Sequence, residues 1–346
     1  MVRLRCVCCA LPQRVLDHVA AKTGDASAAR RHQETTERIR AQRNATAAAS
    51  TQAPGGEGKR SIHDAGGKEV LPGLLVRAEG AKPVADEAAN EAFDNLGITL
   101  DFYSKVFGRD SLDARGMDVI ASIHFGDQFP NAMWNGEQML FGDGDGIHVG
   151  GFTRSIDIVA HELTHAVTQH TISGGLGVVT RNGKPDLAGE AGALNESISD
   201  VFASQVKQWH AKQDVAKADW LLGTGILAPS LGHAVRSLKN PGDTSKTYEG
   251  DRQVAHMSQY VQGGDVHANS GIPNHAFYLC AQALGGHAWE HAGRIWYDAI
   301  ASLVPTSSFA DAAKATGAAA ARLFGNSSKE QHAVEAAWQK VGVTGS

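Results

Sequence analysis

The chain of 346 residues is 42% hydrophobic, which is enough to bury the cores of two domains, and it has no run of eighteen apolar residues that could span a membrane. Its net charge of −5 is unevenly distributed: residues 1–60 hold 11 Lys and Arg against 5 Asp and Glu, whereas the rest holds 21 against 32. A basic N-terminal arm is typical of nucleic-acid binding or of a solvated tail, and it is equally consistent with a segment that binds its own acidic body.

Residues 1–55 are predicted to form an N-terminal arm and a linker. The arm contains a helical stretch at residues 27–45, and residues 47–59 are a low-complexity run that predicts a flexible linker with a processing site. The basic N-terminus is followed by a short apolar stretch that Pro12 interrupts, so it does not resemble a secretory signal. We therefore expect a cytoplasmic protein, or one exported by a route that does not use such a signal.

The remainder of the chain predicts two lobes. Residues 56–160 contain short strand patterns and one amphipathic helix, and residues 161–346 contain mainly helical patterns. The predicted strands are 61–64, 71–77, 118–125 and 138–141, and the predicted helices are 85–107, 155–171, 190–211, 272–284, 287–302, 308–324 and 328–340. The fold class is therefore α+β, with a mixed α/β N-terminal lobe, a mainly helical C-terminal lobe and an active-site cleft expected between them.

His161, Glu162 and His165 form an HExxH element inside the predicted helix 155–171. Imidazoles four residues apart project from one face of a helix, so both can bind one Zn²⁺ at about 2.0–2.1 Å. Glu162 follows the first histidine and can act as general base on a water at the metal without binding the metal itself. The alternative is a surface helix with two solvated histidines, but the helix is largely apolar, and buried histidines need partners.

A third ligand is predicted on the next helix. Glu196 and Asp200 lie four residues apart in the apolar pattern of residues 190–211, so both carboxylates share one helix face. We assign Glu196 to the zinc ion and Asp200 to the outer ring N–H of His161, whose tautomer it would fix. The alternative is a solvated acidic face.

Several motifs together resemble the thermolysin-like neutral zinc metalloproteases and, within them, the protealysin-like branch. They are HELTHAVTQH at 161–170, GALNESISD at 192–200, NAMWNG at 131–136, GDGDG at 142–146 and VHANSGI at 266–272, and they occur in the family's order. The resemblance runs from Gly56 to the C-terminus. It implies the two-lobed fold, a zinc-dependent peptidase activity, and protein or peptide substrates.

The same resemblance implies roles for four more residues. His267 would donate a hydrogen bond to the oxyanion of the tetrahedral intermediate, a contribution worth about 3–4 kcal/mol in other oxyanion holes. Asn131 and Ala132 match the edge-strand segment that pairs with the backbone of an extended substrate. Arg236 matches an arginine that contacts a substrate carbonyl on the leaving-group side. Without the resemblance, we would interpret His267 as a loop residue, Asn131 as a turn residue and Arg236 as a surface charge.

The chain departs from the family pattern in three places. Thirty residues separate His165 from Glu196, more than the family usually has, and we expect the extra length, in the Gly-rich stretch 173–190, to border the cleft. This stretch has no tyrosine, so the family's second oxyanion donor is not found there. Where an aspartate usually orients the functional histidine, this chain has Gln262, with Asp265 nearby.

Four residues bear on calcium binding. Asp143 and Asp145 lie in a stretch that looks like a calcium loop, and Asp157 matches a calcium ligand of the family. Calcium needs six to eight oxygen ligands, however, and Lys207 stands where the family supplies a further glutamate. We therefore expect the double calcium site to be absent and the loop aspartates to build turns, while other calcium binding is left open.

Cys6, Cys8 and Cys9 cluster at the N-terminus, which is not typical of a disulfide framework. A thiolate is a strong zinc ligand at about 2.3 Å, so each of the three is a candidate ligand that would displace the catalytic water and inhibit the enzyme. The alternative is a set of free cytosolic thiols. Cys280 lies in an apolar helical pattern and is expected to be buried and inert.

Together these observations predict a zinc endopeptidase precursor whose residues 1–55 form an inhibitory pro-segment bound in cis, with no nucleic-acid partner. Cleavage is expected on the N-terminal side of apolar residues, because Phe152 and Ile158 would line the pocket after the scissile bond. A zinc aminopeptidase is one alternative, but it needs an acidic anchor for the substrate's free amine, which we do not find. A non-catalytic zinc protein held shut by its arm is another, but it would have no reason to keep Glu162.

Overall fold

The computed structural model describes residues 8–46, 56–181 and 184–344, so Cys6 and residues 47–55 of the predicted linker lie outside it. The strands are β1 Cys8–Cys9, β2 Arg60–Asp64, β3 Leu74–Ala78, β4 Val119–Ile123, β5 Ala132–Trp134, β6 Met139–Phe141, β7 Val178–Arg181, β8 Lys184–Leu187, β9 Leu221–Leu222 and β10 Arg236–Ser237. The helices are α1 Gln13–Thr23, α2 Ser27–Thr46, α3 Glu87–Phe107, α4 Ile156–Thr171, α5 Gly189–His210, α6 Val266–Asn269, α7 Gly271–Leu284, α8 Ala292–Ile300, α9 Phe309–Phe324 and α10 Lys329–Lys340. No described helix has the length and hydropathy that crossing a membrane requires.

A six-stranded sheet in the order β1-β5-β6-β4-β2-β3 organises the N-terminal lobe. Its centre is β4, which pairs in parallel with β2 and β6, while β5 pairs antiparallel with β6. The arm supplies the outermost strand: β1 pairs antiparallel with β5, with Cys8 opposite Trp134 and Cys9 opposite Met133. Without the arm, β5 would be a sheet edge with unpaired backbone groups, which is the surface that an extended peptide can join.

Helix α3 packs against this sheet and against α4. Its first turn is capped by Asp86, whose carboxylate accepts the backbone N–H groups of Ala88 and Ala89. It ends at Gly108, whose φ of 68° is a left-handed conformation that glycine adopts without a Cβ clash. The buried face of α3 thus fixes the sheet relative to the HExxH helix.

Helices α4 and α5 lie side by side at the centre of the molecule. Every residue of α4 from 157 to 168 is buried, and so are nearly all residues of α5. Helices enclosed on all sides are normally apolar all round. These two carry histidines and carboxylates at this depth, and such groups require partners.

Helices α7 to α10 complete the C-terminal lobe. α9 begins with a capping box, in which Ser308 and Asp311 each accept a backbone N–H of the first turn. Cys280 on α7 is fully buried, and burial raises the pKa of its thiol, which confirms the expected core position.

The structure contains elements that the sequence did not predict. Helix α1 was not predicted, although Val15, Leu16 and Val19 form its buried face. The stretch 173–190, expected to be a loop, contains the antiparallel hairpin β7–β8. The predicted boundary between residues 160 and 161 lies inside α4, as it lay inside the predicted helix 155–171.

Candidate metal centre and active-site cleft

The three predicted zinc ligands come together at the α4–α5 contact. Candidate ligand atoms of His161, His165 and Glu196 all lie within 4.8 Å of one another, and all three residues are buried. The Nε2 atoms of the two histidines are 3.0 Å apart, and Glu196 Oε2 is 3.4 Å from His161 Nε2. Within the described parts of the chain, this is the one such cluster of three or more His, Cys, Asp or Glu residues.

The cluster fits a zinc ion by its chemistry. Two imidazole nitrogens and one carboxylate are a donor set typical of catalytic zinc sites. Among the described residues, neither carboxylate oxygen of Glu196 has a hydrogen-bond donor in suitable geometry, although both are buried. Buried carboxylate oxygens without donors are costly, and a bound cation compensates that cost. His161, His165 and Glu196 would therefore hold the metal.

Each histidine is oriented by a residue on α5. His161 Nδ1 lies 2.9 Å from Asp200 Oδ1, and His165 Nδ1 lies 2.9 Å from Asn195 Oδ1. Asn195 in turn donates to the carbonyl of Leu176, which fixes its amide. These contacts direct both Nε2 atoms toward Glu196, and partners of this kind determine the tautomer and basicity of metal-binding histidines.

The role of Asn195 was not predicted from the sequence. The sequence did contain an indication of this role, because Asn195 immediately precedes Glu196 on α5, the helix that packs against α4.

Asp200 binds two further side chains besides that of His161. It also accepts hydrogen bonds from Arg236 Nε at 3.0 Å and from Asn274 Nδ2 at 2.9 Å. Although burial opposes its ionisation, the charge of Arg236 holds the pKa of Asp200 well below its usual range. The carboxylate therefore links the metal-ligand cluster to Arg236, and Asn274 is a further site residue that the sequence did not reveal.

Glu162 is fully buried on the same helix and is held by the sheet. Its Oε2 accepts the backbone N–H of Trp134 at 2.6 Å. Among the described residues, its other oxygen, Oε1, has no hydrogen-bond donor and is available to a water. Burial raises the pKa of the Glu162 carboxyl to about 8, and it lowers the pKa of His165 to about 4.

His267 lies on α6, with Nε2 3.4 Å from Glu196 Oε2. Its Nδ1 is 3.0 Å from Asp265 Oδ1, and this aspartate also caps the first turn of α6. Asp265 is therefore the residue that orients His267 here. Arg14 of the arm approaches the other carboxylate oxygen of Asp265 at 3.4 Å.

The residues predicted to bind substrate all contact the arm. Ala132 O accepts the N–H of Ala10 at 3.0 Å, and Arg236 Nη1 donates to Ala10 O at 2.7 Å. The amide of Asn131 binds both main-chain groups of Leu11, accepting its N–H at 2.9 Å and donating to its carbonyl at 2.8 Å. The arm therefore lies in the cleft between the lobes.

The assignment of Cys9 as a zinc ligand is contradicted by its position. Its Sγ lies 4.0 Å from Thr36 Oγ1 on α2, and the residue packs in an apolar cluster that includes Ile39 and Phe129. It is the main-chain carbonyl of Cys9 that faces the site, 3.2 Å from His267 Nε2. Cys6 and the side chain of Cys8 lie outside the described structure.

The carboxylates considered for calcium are bound to protein groups. Asp143 contacts His124 Nδ1 at 2.8 Å, and Asp145 accepts backbone N–H groups of the turn that follows it. Asp157 is 3.5 Å from Lys207 Nζ, which also contacts Asp219 at 3.1 Å.

A cavity of about 550 Å³ remains between the arm and the body. It is lined by α2 of the arm, by the segment from Asp186 to Gly189, and by Glu196 and His267. The end of the β7–β8 hairpin thus borders the cleft, next to the metal-ligand cluster.

The two-lobed fold, the HExxH helix and the glutamate on the following helix define a zinc-dependent metallopeptidase. Family comparison agrees: residues 58–169 match the thermolysin metallopeptidase catalytic domain, and residues 186–343 match the thermolysin metallopeptidase alpha-helical domain. The chain belongs to the thermolysin family, in its protealysin-like branch, and is a metalloendopeptidase.

Individual relatives show the same likeness. The chain is 45% identical over 299 residues to an extracellular metalloprotease of Pectobacterium carotovorum subsp. carotovorum, covering 84% of this chain and 82% of the relative. It is 41% identical over 300 residues to protease PrtS of Photorhabdus sp. (strain Az29), covering 82% and 76%. The solved precursor of protealysin, a metalloproteinase from Serratia proteamaculans, superposes with a TM-score of 0.80 at 41% identity, covering 97% of this chain and all of that one.

Proposed function

We propose that the chain is a zinc endopeptidase precursor in which Glu162 is the general base, His267 stabilises the oxyanion, and residues 8–46 close the cleft. The observation that carries the proposal is that His267, Arg236, Asn131 and Ala132 all bind main-chain groups of the arm. Groups that recognise main chain rather than side chains suit a peptidase that accepts varied sequences.

The residues divide the reaction between them. A zinc ion bound by His161, His165 and Glu196 would supply Lewis-acid polarisation and lower the pKa of a water. Glu162 takes the proton from the attacking water and passes it to the leaving nitrogen. His267, oriented by Asp265, donates to the oxygen on which negative charge develops. Arg236, Asn131 and Ala132 hold the backbone on the leaving-group side.

We propose that cleavage occurs before apolar residues. Phe152 and Ile158 are fully buried, and the side chains of Ile158 and Val235 both lie against Gly223. Val235 immediately precedes Arg236, and Gly223 follows Leu222, which pairs with Arg236. These neighbours give the wall beside Arg236 an apolar character, which favours an apolar side chain there.

The arm is proposed to inhibit by packing and main-chain hydrogen bonds. Leu11, Val15, Leu16 and Val19 are at most 1% exposed, and burial of one such side chain stabilises by about 1.5–3 kcal/mol. His18 Nε2 lies 2.9 Å from the carbonyl of Leu231. Covalent attachment adds an effective concentration in the millimolar range.

Calcium is proposed to be unnecessary next to Asp157. The ammonium of Lys207 lies between Asp157 and Asp219 and donates to the carbonyl of Leu221 at 2.9 Å. One positive charge thus neutralises a carboxylate pair that would otherwise attract a cation.

The experiment that tests the function uses a peptide blocked by N-acetylation and C-terminal amidation. After the linker is cut and the arm removed, hydrolysis of an internal bond before a Leu or Phe is expected, with loss of activity on chelation and in Glu162→Ala. An aminopeptidase would instead require the free amine and leave the blocked peptide intact.

A further inference from the structure

The main chain of residues 9 to 11 crosses the cleft in a single, fully specified register. The carbonyl of Cys9 lies 3.2 Å from His267 Nε2, and the N–H of Ala10 donates to Ala132 O at 3.0 Å. The next carbonyl, Ala10 O, accepts from Arg236, and both main-chain groups of Leu11 bind the Asn131 amide. Consecutive main-chain groups on both sides of one peptide bond are therefore bound by the cleft.

This register identifies which bond lies at the reaction centre. His267 is the donor proposed for the oxyanion, so the carbonyl it contacts corresponds to the one that is attacked. The same Nε2 is 3.4 Å from Glu196, which places the Cys9 carbonyl beside the metal-ligand cluster. Arg236 belongs to the leaving-group side and binds the following carbonyl. The first carbonyl belongs to Cys9 and the second to Ala10, so the peptide bond at the reaction centre is Cys9–Ala10.

We propose that the enzyme hydrolyses the Cys9–Ala10 bond of its own arm as a step that precedes release of the arm. The inference rests on the proposed function. The oxygen of one water adds to the carbonyl carbon of Cys9, and the bond from this carbon to the Ala10 nitrogen breaks. Glu162 carries the proton from the water to that nitrogen. The products are a carboxylate on Cys9 and, once the nitrogen has also taken up the second water proton, an α-ammonium group on Ala10, and water is the only co-reactant.

The cut leaves most of the arm in place. Residues 1–9 lose their covalent connection, and the two of them that the structure describes, Cys8 and Cys9, are held by their pairing with β5. Helix α1 stays anchored through its buried face and through the contacts of Arg14 with Asp265 and His18 with Leu231. The nicked chain is thus still closed on the leaving-group side, and a second cut in the linker is needed to open it.

The primary test is a time course of intact mass and N-terminal sequence on the full-length, zinc-loaded chain. We expect loss of residues 1–9, a new N-terminus at Ala10, and a rate independent of protein concentration, since the bond is presented in cis. Glu162→Ala and a chelated sample should keep residues 1–9. A chain that loses its arm through the linker with Cys9–Ala10 intact, or that is first cut elsewhere between residues 8 and 12, would overturn the proposal, as would a rate proportional to concentration.

A second readout does not use the enzyme's own activity. In the uncleavable Glu162→Ala chain, added trypsin is expected to cut slowly after Arg14 because the arm is seated. Asn131→Ala removes both hydrogen bonds to Leu11 and should raise this rate by about tenfold. Asn240→Ala, at an exposed asparagine, is the matched control and should not. Equal rates in the two variants would show that the register is wrong.

The two tests also separate this proposal from the proposed function. If the chain hydrolyses a blocked peptide after its linker is cut, but never cuts Cys9–Ala10, only the register proposal fails. If no peptide is hydrolysed even after the arm is removed, the proposed function itself fails.

Discussion

Leu11→Ala in the arm is expected to open the precursor without any cut. The Leu11 side chain is fully buried in the main core cluster, while its main chain is held by Asn131. Truncation of a buried leucine to alanine costs about 2–5 kcal/mol, and the main-chain bonds to Asn131 are kept. If this cost falls on the docked arm, the open fraction rises about thirtyfold to several thousandfold.

The assay for this change is hydrogen exchange of the α1 amides, measured in a Glu162→Ala background so that no self-cutting occurs. The free energy of opening, read from exchange of the amides of Val15 to Val19, should fall by the amount given above. Leu74→Ala is the matched control, because Leu74 is 73% exposed and its truncation should leave α1 exchange unchanged. If Leu11→Ala exchanges like the control, burial of the arm's apolar side chains is not what keeps the cleft closed.

Four further changes have defined outcomes. Glu162→Ala should retain zinc, as measured by metal analysis, and lower kcat by several orders of magnitude in the arm-free enzyme; wild-type turnover would exclude it as the base. Asp200→Ala should weaken zinc affinity or activity by about 10–100-fold in a chelator competition, and unchanged values would reduce Asp200 to a packing residue. Lys207→Ala should lower the thermal midpoint of unfolding, because Asp157 loses the ammonium group beside it, and added calcium should raise the midpoint of this variant. A midpoint that rises with calcium in the wild-type protein would contradict the proposal. Cys9→Ser should leave the intact precursor inhibited, since the sulfur of Cys9 faces α2. Full activity without any cut would instead support the hypothesis that the Cys9 thiolate inhibits by binding zinc.

The long elements could be predicted because their periodicity extends over several turns. Helix α4 was expected at 155–171 and spans Ile156–Thr171, and α9 was expected at 308–324 and spans Phe309–Phe324. The short elements could not be predicted, because their stability comes from distant partners. β1 is two residues long and exists only by pairing with β5, more than a hundred residues away.

The metal centre could be predicted for a different reason. The spacing of His161 and His165, and of Glu196 and Asp200, fixes which side chains share a helix face, so two local patterns define most of the cluster. Asn274 reaches Asp200 from 74 residues away, and no local pattern carries that information.

The orientation of Cys9 could not be predicted from the sequence either. Sequence identifies a thiol near the N-terminus, but only the pairing of β1 with β5 determines whether its sulfur or its carbonyl faces the cleft.

We propose that an assembled zinc peptidase site is closed by its own arm. The most direct measurement is the zinc content and blocked-peptide hydrolysis of the same preparation before and after cutting between residues 47 and 55. We predict about one zinc per chain in both states, with hydrolysis appearing only once the arm has dissociated. Equal hydrolysis by a chain whose linker is still uncut, verified by intact mass, would show that the arm does not close the site.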